Sequence, residues 1–104
     1  MTLNNLMKYS KEIEKICKKE KIKKLAVFGS TLRGNATTES DIDFLVEFDG
    51  TQTLFQVIHV KQEFEKKLKT RVDVVTKESL SKYFRDEVLK EAKVIYEASK
   101  ESSI

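Results

Sequence analysis

Residues 28–46 read FGSTLRGNATTESDIDFLV, and their interpretation decides the fold. The stretch follows KLAV (24–27), a short continuous apolar run that predicts a strand over 24–29 buried on both faces. Gly29-Ser30 stands directly at the strand's end, where a glycine permits close backbone approach by a ligand. The amides that follow and the Ser30 hydroxyl can face an anion, particularly if 30–34 form a short helix ended by Gly34. Arg33, one turn on, can fork onto a phosphate. IDFLVEF (42–48) predicts a second strand, with Ile42, Phe44, Val46 and Phe48 as its core-facing row. Asp41 and Asp43, two residues apart, project from the other face, which continues with Leu45 and Glu47.

Working outward, residues 3–20 predict one helix, with Leu3, Leu6, Met7, Ile13, Ile16 and Cys17 on a single stripe. After the break at Gly50, residues 53–69 predict a second long helix with Leu54, Val57, Ile58, Phe64 and Leu68 inward. RVDVV (71–75) is a β-branched third strand. Residues 79–92, with Leu80, Phe84, Val88 and Ala92 at helical spacing, predict a third long helix. VIY (94–96) fits either a last strand or the end of that helix, and the polar tail (99–104) is expected to be disordered. The order is α-β-β-α-β-α: a small α/β (α+β) domain, its mixed three- to four-stranded sheet flanked by helices, spanning 1–104 as a single unit.

Composition narrows the chemistry. A chain of 104 residues with one cysteine and one histidine excludes a disulfide framework and a cysteine- or histidine-rich metal centre. No apolar run reaches the roughly 20 residues that cross a bilayer, and residues 1–20 are too charged for a signal peptide. A cytoplasmic protein is expected. The net charge of +3 is too small to mark a nucleic-acid surface, so direct nucleic-acid binding is not expected.

Two neighbouring carboxylates repel unless a cation sits between them, and hard oxygen donors suit Mg²⁺ or Mn²⁺. Asp73 interrupts a β-branched run, which opposes strand propensity and calls for a partner. If its strand neighbours the second one, Asp73 joins Asp41 and Asp43. A phosphate-cradling turn beside three carboxylates equips a site for phosphoryl or nucleotidyl transfer with two metal ions roughly 4 Å apart. The turn is not a P-loop, because GxxxxGK[ST] is absent. The plainer alternatives are a surface turn for Asp41 and Asp43, an edge-strand ion pair for Asp73 and an ordinary exposed side chain for Arg33. His59 reads as locally satisfied on a helix face, Cys17 as a small core residue and the basic run 18–24 as a solvated helix end. Phe55 and Tyr83 are candidates for an exposed partner patch, although Leu54, Phe55, Ile58 and Phe64 read chiefly as core.

Gly29-Ser30, ten intervening residues, then Asp41-Ile42-Asp43 resembles the nucleotidyltransferase superfamily that includes DNA polymerase β. VFGSTLRG (27–34), SDIDFLVEF (40–48), RVDVVTKESL (71–80) and EVLKEAKVIYE (87–97) are more specifically similar to its minimal nucleotidyltransferases, the MntA-like antitoxins, over about residues 22–97. Thr31 and Leu32 depart from the usual residues of that motif, which bears on pocket shape. The resemblance implies a nucleotidyltransferase palm in which Gly29, Ser30 and Arg33 bind the nucleoside triphosphate. Asp41, Asp43 and Asp73 would be catalytic and would ligate two Mg²⁺ ions, Mn²⁺ being an alternative. It further implies ATP as substrate and AMP transfer to a hydroxyl of a partner protein, a HEPN toxin, in a type VII-like toxin–antitoxin pair. About 100 residues hold little more than the catalytic palm, which agrees with an acceptor that brings its own binding surface. The competing expectations are a silent antitoxin acting by steric occlusion and a small-molecule nucleotidyltransferase whose partner supplies the acceptor pocket.

Overall fold

In the computed structural model, residues 3–29, 41–50, 53–80 and 82–98 are described, with 82–84 described in their backbone only. The expected Ser30 and Arg33 positions, the short helix at 30–34, the tail and the Tyr83 and Phe84 side chains lie outside this set. The elements run α1 (Leu3–Met7), α2 (Ser10–Lys19), β1 (Ile22–Phe28), β2 (Ile42–Phe48), α3 (Leu54–Leu68), β3 (Val72–Thr76), a 3₁₀ turn (Lys77–Ser79), α4 (Lys82–Glu91) and β4 (Lys93–Glu97). The strands form one mixed sheet in the order β3-β2-β1-β4. β1 is antiparallel to both β2 and β4, whereas β2 and β3 are parallel.

Strand alternation sorts the apolar residues onto the sheet's two faces. Leu25, Val27, Ile42, Phe44, Val46 and Val72 bury against Leu6, Ile13, Ile16 and Cys17 of the first two helices and Val60, Phe64 and Leu68 of α3. The Phe44 and Phe64 rings meet at 4.9 Å between centroids and 57° between planes, a favourable tilted pair. The other face carries a smaller cluster of Ala26, Leu45 and Val88, with Phe28, Val75, Leu80 and Ala92 packed on it.

Three helix expectations need correction. The single helix over 3–20 is two helices. Lys8 and Tyr9 donate to the carbonyls of Asn5 and Leu6 three residues back, which tightens and ends α1, and Ile13 N then bonds Tyr9 O to start α2. Leu6 and Ile13 are seven residues apart and so stay within about 20° in phase, which hides the break from the periodicity. The inward set on α3 is also different. Val60, Phe64 and Leu68 are buried, whereas Leu54 is 73 %, Phe55 84 % and Ile58 43 % exposed. At 3.6 residues per turn, Leu54 and Ile58 point about 120° and 160° away from Val60. The third long helix begins later than 79. Thr76 Oγ1 accepts from Ser79 N (3.2 Å) while Thr76 N donates to Ser79 Oγ (3.0 Å), a reciprocal cap on the 3₁₀ turn that precedes α4. The open question at 94–96 resolves as a strand, β4, on the edge of the sheet beside β1.

The basic run does not stay on a helix end. α2 stops at Lys19, Lys21 takes a left-handed φ of 58°, and Lys23 and Lys24 lie on β1. Lys18, Lys19, Lys23 and Lys24 face Glu14, Glu63, Glu47 and Glu97, respectively, at 2.7–3.9 Å.

Candidate active site

The parallel pairing of β2 with β3 sets Ile42 beside Val72, Asp43 beside Asp73 and Leu45 beside Val75. Ile42 and Val72 belong to the large core, and Leu45 and Val75 to the smaller cluster. By alternation Asp43 and Asp73 therefore share the second face, one step nearer the strand starts than Leu45 and Val75. Asp43 is half-buried and Asp73 exposed. Ile42 N donates to Arg71 O (3.0 Å), locking the two strands in register just before the aspartates. The condition set by the sequence, that the strand of Asp73 neighbour that of Asp43, is met. Asp41 stands half-buried immediately before β2.

β1 arrives from the other side. Phe28 pairs with Asp43, and Gly29 leaves the strand at φ +77°. A Cβ built on Gly29 would overlap Asp43 Oδ2 and lie 3.3 Å from its Cγ. Glycine is thus favoured twice, by the left-handed backbone and by the room it leaves for the Asp43 carboxylate in its present rotamer. The strand-end glycine singled out in the sequence touches the aspartate singled out independently, 14 residues later.

A second-row carboxylate holds this corner. Glu65 Oε2 on α3 accepts from Val72 N (3.1 Å) and from Lys61 Nζ (3.1 Å), so it fixes the first amide of β3 next to Asp73. The Val72 amide and then the Lys61 ammonium hold the Glu65 carboxyl below its ordinary pKa. Sequence reasoning missed Glu65. Its signal was weak: a glutamate near the C-terminal end of a helix, seven residues before a strand.

The donor set fits a hard divalent cation. Asp43 and Asp73 offer carboxylate oxygens from adjacent strands on one face, with Asp41 at the entrance to β2. Among the described residues, the three ligand-bearing side chains that lie within 4.8 Å of one another are instead Glu20, His59 and Glu63, so the aspartates do not form so tight a group. A surface groove of about 590 Å³, lined by Val46, Phe48, Gly50, Leu54 and Thr76 among others, lies where β2 and β3 end, at the opposite end of the strands from Asp43 and Asp73.

A strand-end glycine packed on an aspartate, with a second aspartate in register on the next parallel strand, is the arrangement of a nucleotidyltransferase palm. The polymerase beta nucleotidyltransferase family model matches residues 11–101, and the chain belongs to that family. Within it the similarity is to the minimal, MntA-like branch. A Thermococcus cleftensis relative named protein adenylyltransferase MntA is 39 % identical over 75 residues, covering 72 % of this chain and 74 % of the relative. A solved structure provisionally described as a minimal nucleotidyltransferase superposes with TM-score 0.78 at 34 % identity, covering 89 % of this chain and 95 % of the other. A chain in the complex of tri-AMPylated Shewanella oneidensis HEPN toxin with MNT antitoxin shares the fold, with TM-score 0.68 at 20 % identity, covering 93 % of this chain and 76 % of that one. Among the described residues, no helix is long and apolar enough to cross a membrane.

Proposed function

We propose that this nucleotidyltransferase transfers AMP from ATP to a hydroxyl of a partner protein of the HEPN class, acting as the antitoxin of a toxin–antitoxin pair. The observation that carries the reading is the Asp43–Asp73 register across parallel strands, with Gly29 packed against Asp43. The naming of the Thermococcus cleftensis relative as a protein adenylyltransferase supports the acceptor class, and the HEPN–MNT complex supports the partner.

In this reading Asp41, Asp43 and Asp73 would hold two Mg²⁺ ions. The ions, when bound, neutralise the triphosphate and lower the pKa of the attacking hydroxyl. Gly29 keeps the end of β1 clear so that the triphosphate can approach Asp43, and Ser30 and Arg33 grip its phosphate oxygens. Asp73, the more exposed of the paired carboxylates, takes the hydroxyl proton. The acceptor oxygen bonds to the α-phosphorus, the α–β bridging P–O bond breaks, and pyrophosphate leaves. Most of the acceleration comes from positioning and charge neutralisation.

The test is pyrophosphate release with Mg²⁺ and each of the four nucleoside triphosphates, with and without the partner protein. Release that needs the partner, favours ATP and disappears in Asp43→Asn and Asp73→Asn is the expected result. Release with a small acceptor and no protein would overturn the acceptor assignment, and release by Asp43→Asn would overturn the site.

A further inference from the structure

Away from the aspartates, the end of α2 meets the middle of α3 through a second set of ligand-bearing side chains. Glu20 closes α2 and is only 8 % exposed, the buried charged residue among those described. Its position is fixed by its backbone: its amide donates to Ile16 O (2.9 Å), and its carbonyl accepts from Gln56 Nε2 (3.0 Å). Facing its carboxylate is His59, with Nδ1 3.2 Å from Glu20 Oε2. One helical turn along α3, Glu63 Oε1 lies 3.9 Å from His59 Nε2. One ligand atom from each of the three residues lies within 4.8 Å of the other two.

We infer that Glu20, His59 and Glu63 form a binding site for one divalent transition-metal ion of the Zn²⁺ type, separate from the aspartate site and outside the proposed transfer chemistry.

Charge is the first argument. Two carboxylates meet one imidazole ring, and the ammonium paired with them, Lys19 Nζ, makes its 2.7 Å contact with Glu63 and acts on Glu20 at longer range. A desolvated carboxylate is costly unless a cation compensates it, and a divalent ion between Glu20 and Glu63 compensates both. Donor chemistry is the second. Imidazole with carboxylates selects Zn²⁺, Co²⁺ or Ni²⁺, whereas Mg²⁺ and Ca²⁺ take oxygen ligands. Geometry is the third. Zinc bonds of about 2.1 Å in a tetrahedron place ligand atoms roughly 3.4 Å apart, and the Glu20–His59 pair already stands at 3.2 Å. His59 meets Glu20 through Nδ1 and Glu63 through Nε2, and one ion takes one ring nitrogen, so binding at Nδ1 draws the Glu63 carboxylate round from Nε2 and releases it from Lys19, whose side chain is 64 % exposed. The half-exposed His59 ring leaves a way in and an open fourth position for water. Filled, the site ties the α2–β1 turn to α3.

The experiment is a Zn²⁺ titration of the full chain by calorimetry, in an Asp43→Asn/Asp73→Asn background that removes the aspartate pair. One equivalent of Zn²⁺ is expected to bind and to raise the melting temperature, with excess Mg²⁺ failing to compete. His59→Gln and Glu63→Gln should each weaken binding by at least about tenfold, the floor known for outer-shell partners alone. Co²⁺ in place of Zn²⁺ should give visible d–d absorption that His59→Gln abolishes. Absence of stoichiometric Zn²⁺ binding, or the same affinity in His59→Gln and Glu63→Gln, would reduce the cluster to a His–Glu clasp and overturn the inference. The carboxylate variants used as background keep this outcome independent of whether the aspartate site transfers AMP.

Discussion

Gly29→Ala isolates the contact on which the active-site geometry rests. Two costs follow from the structure. An alanine held at φ +77° carries left-handed backbone strain of about 1–2 kcal/mol. Its Cβ would also overlap Asp43 Oδ2, so the carboxylate must leave its rotamer, at roughly 0.5–1.5 kcal/mol. Together the substitution should cost about 2–3 kcal/mol, or roughly 10 °C or more in a domain of this size. The two costs separate in a double-mutant cycle. Asp43 Cβ lies 3.6 Å from the built position, an ordinary contact, so Asp43→Ala removes the overlap and leaves the backbone strain. Urea unfolding of the wild type, both single variants and the double variant, followed by far-ultraviolet circular dichroism, gives the coupling. Gly29→Ala should cost about 1 kcal/mol less in the Asp43→Ala background. Equal costs in the two backgrounds, within about 0.3 kcal/mol, would refute the close approach of β1 to Asp43.

Glu65→Gln should lower stability by about 1 kcal/mol near neutral pH, since the Val72 amide then loses a charged acceptor at a partly exposed site. Because Glu65 titrates below its ordinary 4.5, its contribution is complete above that value and is lost as pH falls through the lowered native pKa; the stability gap between wild type and variant, followed by urea midpoints, should shrink there. Phe64→Ala should cost about 3–5 kcal/mol, because Phe64 is fully buried against Phe44, while Phe55→Ser, at 84 % exposure, should stay within about 0.5 kcal/mol in the same denaturation assay. Cys17, whose thiol burial pushes up to about 12, should resist alkylation in the native protein at neutral pH and react only on unfolding, as read by mass.

The strands were readable because burial imposes its period on them. IDFLVEF marks β2 over 42–48 with its core row in phase, and a carboxylate where strand propensity disfavours one points to a partner for Asp73. Helix phase and ends were harder. The seven-residue interval from Leu6 to Ile13 preserves the stripe through the Lys8–Tyr9 break, and α3 exposes apolar residues in its first turns that periodicity alone sends inward. At the site, glycine and aspartate were recognisable because each violates a local preference. Glu65 and the Glu20–His59–Glu63 cluster violate none, and only the packing of α3 on β3 and α2 brings them to their partners.

The most direct test of nucleotidyl transfer to a protein is the intact mass of the protein that co-purifies with this chain, before and after Mg²⁺ and ATP are added. The expected result is a gain of one or more AMP units on that partner, abolished when this chain carries Asp43→Asn. A partner that binds tightly yet gains no mass would contradict transfer and leave steric occlusion as the way this chain acts.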